Sequence, residues 1–171
     1  MNLKTSSYRK NVLSEWATQS TQEIDKFNPQ NVTNSVWALG KLAEGLKLPN
    51  DVPQSFLSKW AHQSAQEIDK FNPQELANSV WALGKLAESQ QLPNDASQSF
   101  LRSWTTQSAQ KISGFNPQNL ANSIWALGKF DENRQLPNDF PQSFQSFLRE
   151  WASQSAEKID QFNPQALANS I

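Results

Sequence analysis

The chain is predicted to be all-α, an αα-hairpin repeat solenoid in which antiparallel helix pairs stack into a superhelix with about 44 residues per repeat. Three observations predict it. The tetrapeptide FNPQ starts at residues 27, 71, 115 and 162, which sets periods of 44, 44 and 47, and periods in this range mark repeat architectures. Residues 27–70 and 71–114 agree at 29 of 44 positions. Each unit also carries two apolar stripes at three- and four-residue spacing, separated by turn residues, as two amphipathic helices require.

The 171 residues then form a single array. Residues 1–26 are a partial repeat with only a second-type helix, here termed B, matched by residues 7–26. Full repeats occupy 27–70 and 71–114. Residues 115–161 form a repeat with a three-residue insertion, and 162–171 a truncated one. The ends therefore belong either to a longer array or to a stack that continues in another copy, since such arrays need polar capping repeats.

Within a unit, helix A comes first. Asn28 is placed to cap it, with Pro29 at the first helical position, where the missing N–H costs nothing. Phe27 and Val32 stand at the two positions of a hydrophobic staple. The same roles recur from Phe71 to Leu76, from Phe115 to Leu120 and from Phe162 to Leu167. Gly45, Ser89 and Asn133 follow the A helices, and glycine and asparagine are the residues that tolerate the left-handed C-cap conformation. Helix B is expected to start after LPND, where Asp51 with Gln54, Asp95 with Gln98 and Asp139 with Gln142 have capping-box spacing. Its buried stripe is Phe56, Leu57, Trp60, Ala61, Ser64 and Ile68. The insertion in PQSFQSFL places Phe140, Phe144, Leu148 and Trp151 at helical spacing, which reads as an added turn.

Placed on a wheel at about 100° per residue, helix A turns Val32, Val36, Leu39 and Ala43 toward helix B. Thr33 and Trp37 form one shoulder and Leu42 the other, meeting the A helices of neighbouring units. Trp37, Trp81 and Trp125 are thus expected in the core between repeats, as are Trp16, Trp60, Trp104 and Trp151 on the B helices. Gly40, Gly84 and Gly128 fall mid-helix, where close helix approach would compensate their poor propensity. The outward strip is Gln30, Asn34, Ala38 and Lys41. It recurs as Gln74, Asn78, Ala82 and Lys85, then as Gln118, Asn122, Ala126 and Lys129, and begins again at Gln165 and Asn169. These parallel rungs of amide, amide, methyl and ammonium are the candidate binding surface. Lys41, Lys85 and Lys129 each precede a glutamate by three residues, a spacing that permits ion pairs.

The core FNPQ.LANS.WALGKL resembles the octotricopeptide repeat, an αα unit whose motif runs close to P.ELANTLWALAKL. Related helical repeats occur beside RAP domains in organellar RNA-processing proteins and in intracellular bacteria. The resemblance covers residues 27–171, with 7–26 matching the preceding helix B. It implies binding of single-stranded RNA, about one nucleotide per repeat, with polar residues of the inner helices facing the strand, and a bacterial source.

Composition narrows the alternatives. A net charge of −1 gives no global attraction to polyanions, and the chain contains no cysteine and one histidine. With His62 replaced by Thr106 and Ser153 in the equivalent positions, neither a zinc site nor a nucleophile with its base can be assembled. There is no glycine-rich phosphate loop. No catalytic residue, metal site or cofactor is expected. The N-terminus has no apolar signal segment and no stretch is long enough to span a bilayer, so a cytoplasmic protein is expected, with delivery into a host cell left open. Two functions follow. The first is a modular RNA binder, with asparagine amides on base edges and lysines on phosphates. The second is a protein-interaction scaffold, such as a bacterial factor acting on host partners.

Overall fold

The computed structural model describes residues 3–45, 54–137 and 142–170, with side chains from residue 11 onward. Among them are eight α-helices and no strand: α1 (Leu3–Glu23), α2 (Pro29–Gly45), α3 (Gln54–Glu67), α4 (Pro73–Glu88), α5 (Asn94–Lys111), α6 (Pro117–Glu132), α7 (Gln142–Glu157) and α8 (Pro164–Ala168). The A-type helices α2, α4, α6 and α8 pack in succession, and so do the B-type helices α1, α3, α5 and α7. Contacts between α2 and α3, α4 and α5, and α6 and α7 join the two rows. Helix α1 starts at Leu3, earlier than the repeat match at residue 7.

Each A helix starts as its sequence dictates. The amide oxygens of Asn28, Asn72, Asn116 and Asn163 accept from the backbone N–H three residues on, at 2.7 to 2.9 Å. At Asn72 the reciprocal bond from its own N–H to Glu75 completes a capping box. Each B helix, by contrast, tightens into one 3₁₀ turn before the next FNP: Ile24–Lys26, Ile68–Lys70, Ile112–Gly114 and Ile159–Gln161. Ile68, expected on helix B, therefore lies on this turn. The following phenylalanine N–H donates back to the isoleucine carbonyl, and the chain then extends because the residue preceding proline disfavours the helical region.

Two expected caps are corrected. Helix α5 starts at Asn94 with Pro93 at the N-cap and no side-chain cap. Asp95 instead accepts from the Ser58 hydroxyl of α3 at 3.0 Å. The extended, ring-fixed Pro93 already supplies the non-helical residue a helix start needs, so no carboxylate cap is recruited. Asp51 and Asp139 lie outside the described residues. At the C-termini, Ser89 and Asn133 keep negative φ, and the left-handed residues are Gln90 and Arg134, at φ 58° and 55°. The N–H of Gln90 bonds to Ala87 and that of Gln91 to Leu86, while Arg134 and Gln135 repeat the pattern on Asp131 and Phe130. These are Schellman motifs, which place the reversal one residue later than the helix-ending serine and asparagine. Gly45 is the last residue of α2.

The core runs continuously through both rows. Val32, Val36, Leu39, Phe56, Leu57, Trp60 and Ala61 are buried, as are their counterparts Leu76, Val80, Leu83, Phe100, Leu101 and Trp104. Trp16 with Phe56, Trp60 with Phe100 and Trp104 with Phe147 stand at ring separations of 5.0, 5.3 and 4.8 Å, linking each B helix to the next. In the inserted unit Phe144 and Phe147 are buried and Leu148 and Trp151 half-buried; Phe140 lies outside the described residues. Among the described residues no helix is long and apolar enough to cross a membrane.

Candidate amide and lysine face

The repeated strip on the A helices divides into two halves of different character. Its N-terminal half is open. Gln30, Gln74, Gln118 and Gln165 are exposed, Asn34 is exposed, and Asn78, Asn122 and Asn169 are half-buried. Gln118 donates to Asn122 at 2.8 Å. Among the described residues, the side-chain amides of Gln30, Asn34, Gln74, Asn78, Gln165 and Asn169 have no protein partner. Each carboxamide retains two donors and an acceptor for something outside the chain.

The middle of the strip is closed, contrary to the wheel. Ala38 is exposed, but Ala82 and Ala126 are fully buried. The cause is the mid-helix glycines. A β-carbon at Gly40 would lie 2.8 Å from the Ala82 Cα, and one at Gly84 would lie 2.9 Å from the Ala126 Cβ. Glycine on one helix admits alanine from the next, so the A helices approach closely enough to bury a position that an isolated helix would expose. Next to this contact, the Ser79 hydroxyl donates to the Thr33 hydroxyl at 3.4 Å.

The C-terminal half is woven shut by charge. Lys41, Lys85 and Lys129 pair with Glu44, Glu88 and Glu132 at 2.9, 3.3 and 2.8 Å. Glu44 also reaches Lys85 at 3.7 Å, and Glu88 reaches Lys129 at 3.6 Å. The six groups alternate in sign across three helices. Lys41 stands 4.5 Å from the Trp81 ring centre and Lys85 stands 4.3 Å from that of Trp125, within cation–π range. The side chains of Lys85 and Lys129 are only 16% and 21% exposed. The pairing holds the Lys129 ammonium above its ordinary range, chiefly through its hydrogen bond to Glu132, and holds the Glu44 carboxyl below its own, chiefly through Lys41. Three ammonium groups and three carboxylates leave the lysine rungs without net charge.

The tryptophans sort by position. Trp60, Trp104 and Trp151 donate their indole N–H to the carbonyls of Val32, Leu76 and Leu120 at 2.8, 2.9 and 2.9 Å, each tying a B helix to the A helix of its own unit. Trp81 and Trp125 are half-buried between A helices. Trp37 departs from the expected core position: it is 42% exposed, whereas Lys41 of the preceding A helix covers Trp81 and Lys85 covers Trp125.

Three basic residues with a structural part carry no sequence signal beyond their register. Lys111 reaches the carbonyl oxygens of Asp69 and Phe71, the latter at 2.7 Å, and Lys158 repeats this on Ser113 and Phe115. Glu67 occupies the equivalent position in the first full repeat. There Lys59 makes the link instead, to the Thr21 carbonyl at 2.9 Å. Ammonium groups at the carbonyl end of a preceding helix suit its dipole. His62 is exposed and contacts Gln66. Among the described residues no cluster of histidine and carboxylate side chains is placed to hold a metal ion. Compared with known proteins, the chain matches no family model, no curated protein and no solved structure.

Proposed function

We infer that the chain is an αα-hairpin solenoid segment that serves as a modular binding protein, holding an extended polypeptide along the amide rows of α2, α4, α6 and α8, and performing no catalysis. The observation that carries this reading is the split strip: carboxamides at equivalent positions on the A helices, unpartnered among the described residues on α2, α4 and α8 and bonded only to each other on α6, beside lysines already neutralised by glutamates. A peptide backbone presents alternating N–H and C=O groups, which carboxamides can both accept from and donate to. A neutral face suits that partner. Phosphates would require cations free to replace counterions, and here each lysine would first have to leave a carboxylate and an indole.

The second reading is single-stranded RNA, as the octotricopeptide resemblance implies. The exposed face of Trp37 beside Asn34 and Lys41 favours it, since base stacking on an aromatic contributes about 1–3 kcal/mol. Under this reading, Gln30, Asn34, Lys41 and their counterparts would be the RNA contacts.

One experiment separates the two. Peptides selected from a random display library on the purified chain, and labelled A, C, G and U homopolymers, are titrated by fluorescence anisotropy at low and moderate salt. Two triple variants, Asn34/Asn78/Asn122→Ala and Lys41/Lys85/Lys129→Ala, accompany the wild type. The polypeptide reading expects salt-tolerant peptide binding that the asparagine variant loses at least tenfold. Tight, salt-sensitive binding of one homopolymer that the lysine variant loses would replace it with the RNA reading.

A further inference from the structure

One accessible stripe runs down α4 through Gln74, Asn78, Trp81, Lys85 and Glu88, at steps of four and three residues that keep to one side of a helix. The equivalent residues of α6 repeat it, with Trp125 in the place of Trp81. An indole thus takes the outward position between amide and ammonium, and Ala82 and Ala126 lie buried beside it. Among the described residues no acceptor receives the N–H of Trp81 or Trp125. The indoles of Trp60, Trp104 and Trp151, by contrast, all donate to backbone carbonyls. Neither of the two unpartnered nitrogens is sealed from solvent.

A glycine sets how the ring lies. A β-carbon at Gly84 would stand 3.1 Å from Cζ3 of Trp125, so glycine lets the benzo edge of the indole rest against α4. The pyrrole edge, which carries the N–H, is on the far side of the ring from Cζ3 and points away from that contact. One ring face is taken by a lysine, since Lys41 stands 4.5 Å from the Trp81 ring centre and Lys85 stands 4.3 Å from that of Trp125. What each indole still offers is a donor with no acceptor of its own. Glycine and alanine separate the A helices, whereas tryptophan and phenylalanine rings separate the B helices. The A row is therefore the shorter, inner side of the array, and these donors line a trough.

We propose that the segment held along the amide rows is proline-rich and in the polyproline II conformation, its carbonyls accepting from the indoles of Trp81 and Trp125. This rests on the polypeptide reading above. Polyproline II has no internal hydrogen bonds, so its carbonyls are open to a partner, and proline has no N–H that would need an acceptor. A β-strand would bring N–H groups as well as carbonyls to this face, and an indole accepts from none of them. With three residues per turn, polyproline II presents the same side about every 9 Å, and packed helices stand about 8–10 Å apart. One turn of the segment thus meets one helix. The Lys–Glu ladder beside the indoles is neutral, which suits a segment without charged side chains. Aromatic-lined grooves take such segments because the conformation is already formed before binding.

The test is a titration of the full ¹⁵N-labelled chain, followed through its assigned indole N–H signals. The probes are dodecaproline, a glycine–serine peptide of equal length and a uridine homopolymer. Dodecaproline is expected to shift the signals of Trp81 and Trp125, to leave those of Trp60 and Trp104 in place, and to bind equally well at low and moderate salt. Trp81→Phe and Trp125→Phe each keep a ring but lose the donor, and should each bind dodecaproline about fivefold more weakly, the scale of one hydrogen bond. The indole shifts are read in the wild type, so they decide the matter even where a variant melts early. Dodecaproline that leaves both signals unmoved overturns the proposal; if peptides selected from a display library still bind through the asparagines, the polypeptide reading survives it. A homopolymer that binds where no peptide does removes both.

Discussion

Trp104 on α5 donates its indole N–H to the Leu76 carbonyl on α4 across 2.9 Å, and Leu76 is itself fully buried. That carbonyl lies inside the first turns of α4, so the indole adds a second bond to an oxygen the helix already uses. The tryptophan thereby fixes the register of one row of helices against the other. The same bond recurs at Trp60 and Trp151, which explains why an aromatic with a donor, rather than phenylalanine, stands there in every unit.

Truncating these anchors should rank by position. Trp104→Ala and Trp60→Ala each remove a fully buried ring and are expected to cost about 3–5 kcal/mol. Trp16→Ala, half-buried and without a carbonyl partner, should cost about 1–2 kcal/mol. Urea unfolding followed by circular dichroism gives the comparison. Equal losses at Trp16 and Trp104 would contradict the anchoring role.

The same glycine substitution should change sign along the chain. At Gly40 and Gly84 the added methyl meets Ala82 and Ala126 at 2.9 Å or less, and helices must move apart, at a cost of about 1–3 kcal/mol. At Gly128 a β-carbon meets nothing within 4 Å, so alanine should stabilise α6 by about 1 kcal/mol through helix propensity alone. Thermal melts of the three single variants decide it, and a destabilised Gly128→Ala would show that α6 is covered in solution.

Gln90 and Arg134 hold left-handed conformations that glycine adopts freely. The strain on a side-chain-bearing residue is about 1–2 kcal/mol, and the extra freedom of glycine in the unfolded chain offsets about 0.5–1 kcal/mol of the gain. Gln90→Gly and Arg134→Gly are therefore each expected to stabilise by about 0.5–1 kcal/mol. Differential scanning calorimetry should show a small rise in Tm for each, and a further rise for the pair because the sites lie in separate turns. A fall in Tm for either would mean that its side chain contributes more than its backbone strain costs.

What could be read from the residues alone follows from how local the cause is. FNPQ announces its own helix start because proline and the asparagine cap act within four residues, and the B-helix stripe from Phe56 to Ser64 is buried as its spacing predicts. The fate of the strip was not legible, because it is decided between repeats. Ala82 looks outward on a single wheel and is buried only because Gly40 of the preceding unit lets its helix come close. The pairing of Lys85 with Glu88 is visible in the three-residue spacing, whereas its contacts with Glu44 and Trp125 require three helices in place. Trp37 shows the converse, since its sequence setting equals that of Trp81 and Trp125, whereas the lysines that cover those two come from another helix.

The Lys–Glu weave should also set how stability depends on pH. The Glu44 carboxyl is held below its ordinary range by its hydrogen bond with Lys41, against some desolvation, with Lys85 adding to the attraction. A depressed carboxylate contributes stability above the unfolded-state value and loses it as pH falls through the folded one. Lys129 is held above its ordinary range by Glu132, with Glu88 adding. Its contribution is complete below the ordinary lysine range and is lost as pH rises through the raised value. Stability from these pairs should therefore be flat across neutral pH and fall at both the acidic and the strongly alkaline edge. The groups are exposed or only partly covered, so each contributes at most about 1 kcal/mol, less at high salt. The readout is the Tm difference between wild type and Glu44→Gln. It should be present at neutral pH and low salt, shrink in high salt, and vanish as pH drops through the carboxylate range, where the wild-type side chain is itself neutral. A difference that persists unchanged in acid would mean that Glu44 acts through packing, and the alternating ladder would lose its electrostatic meaning.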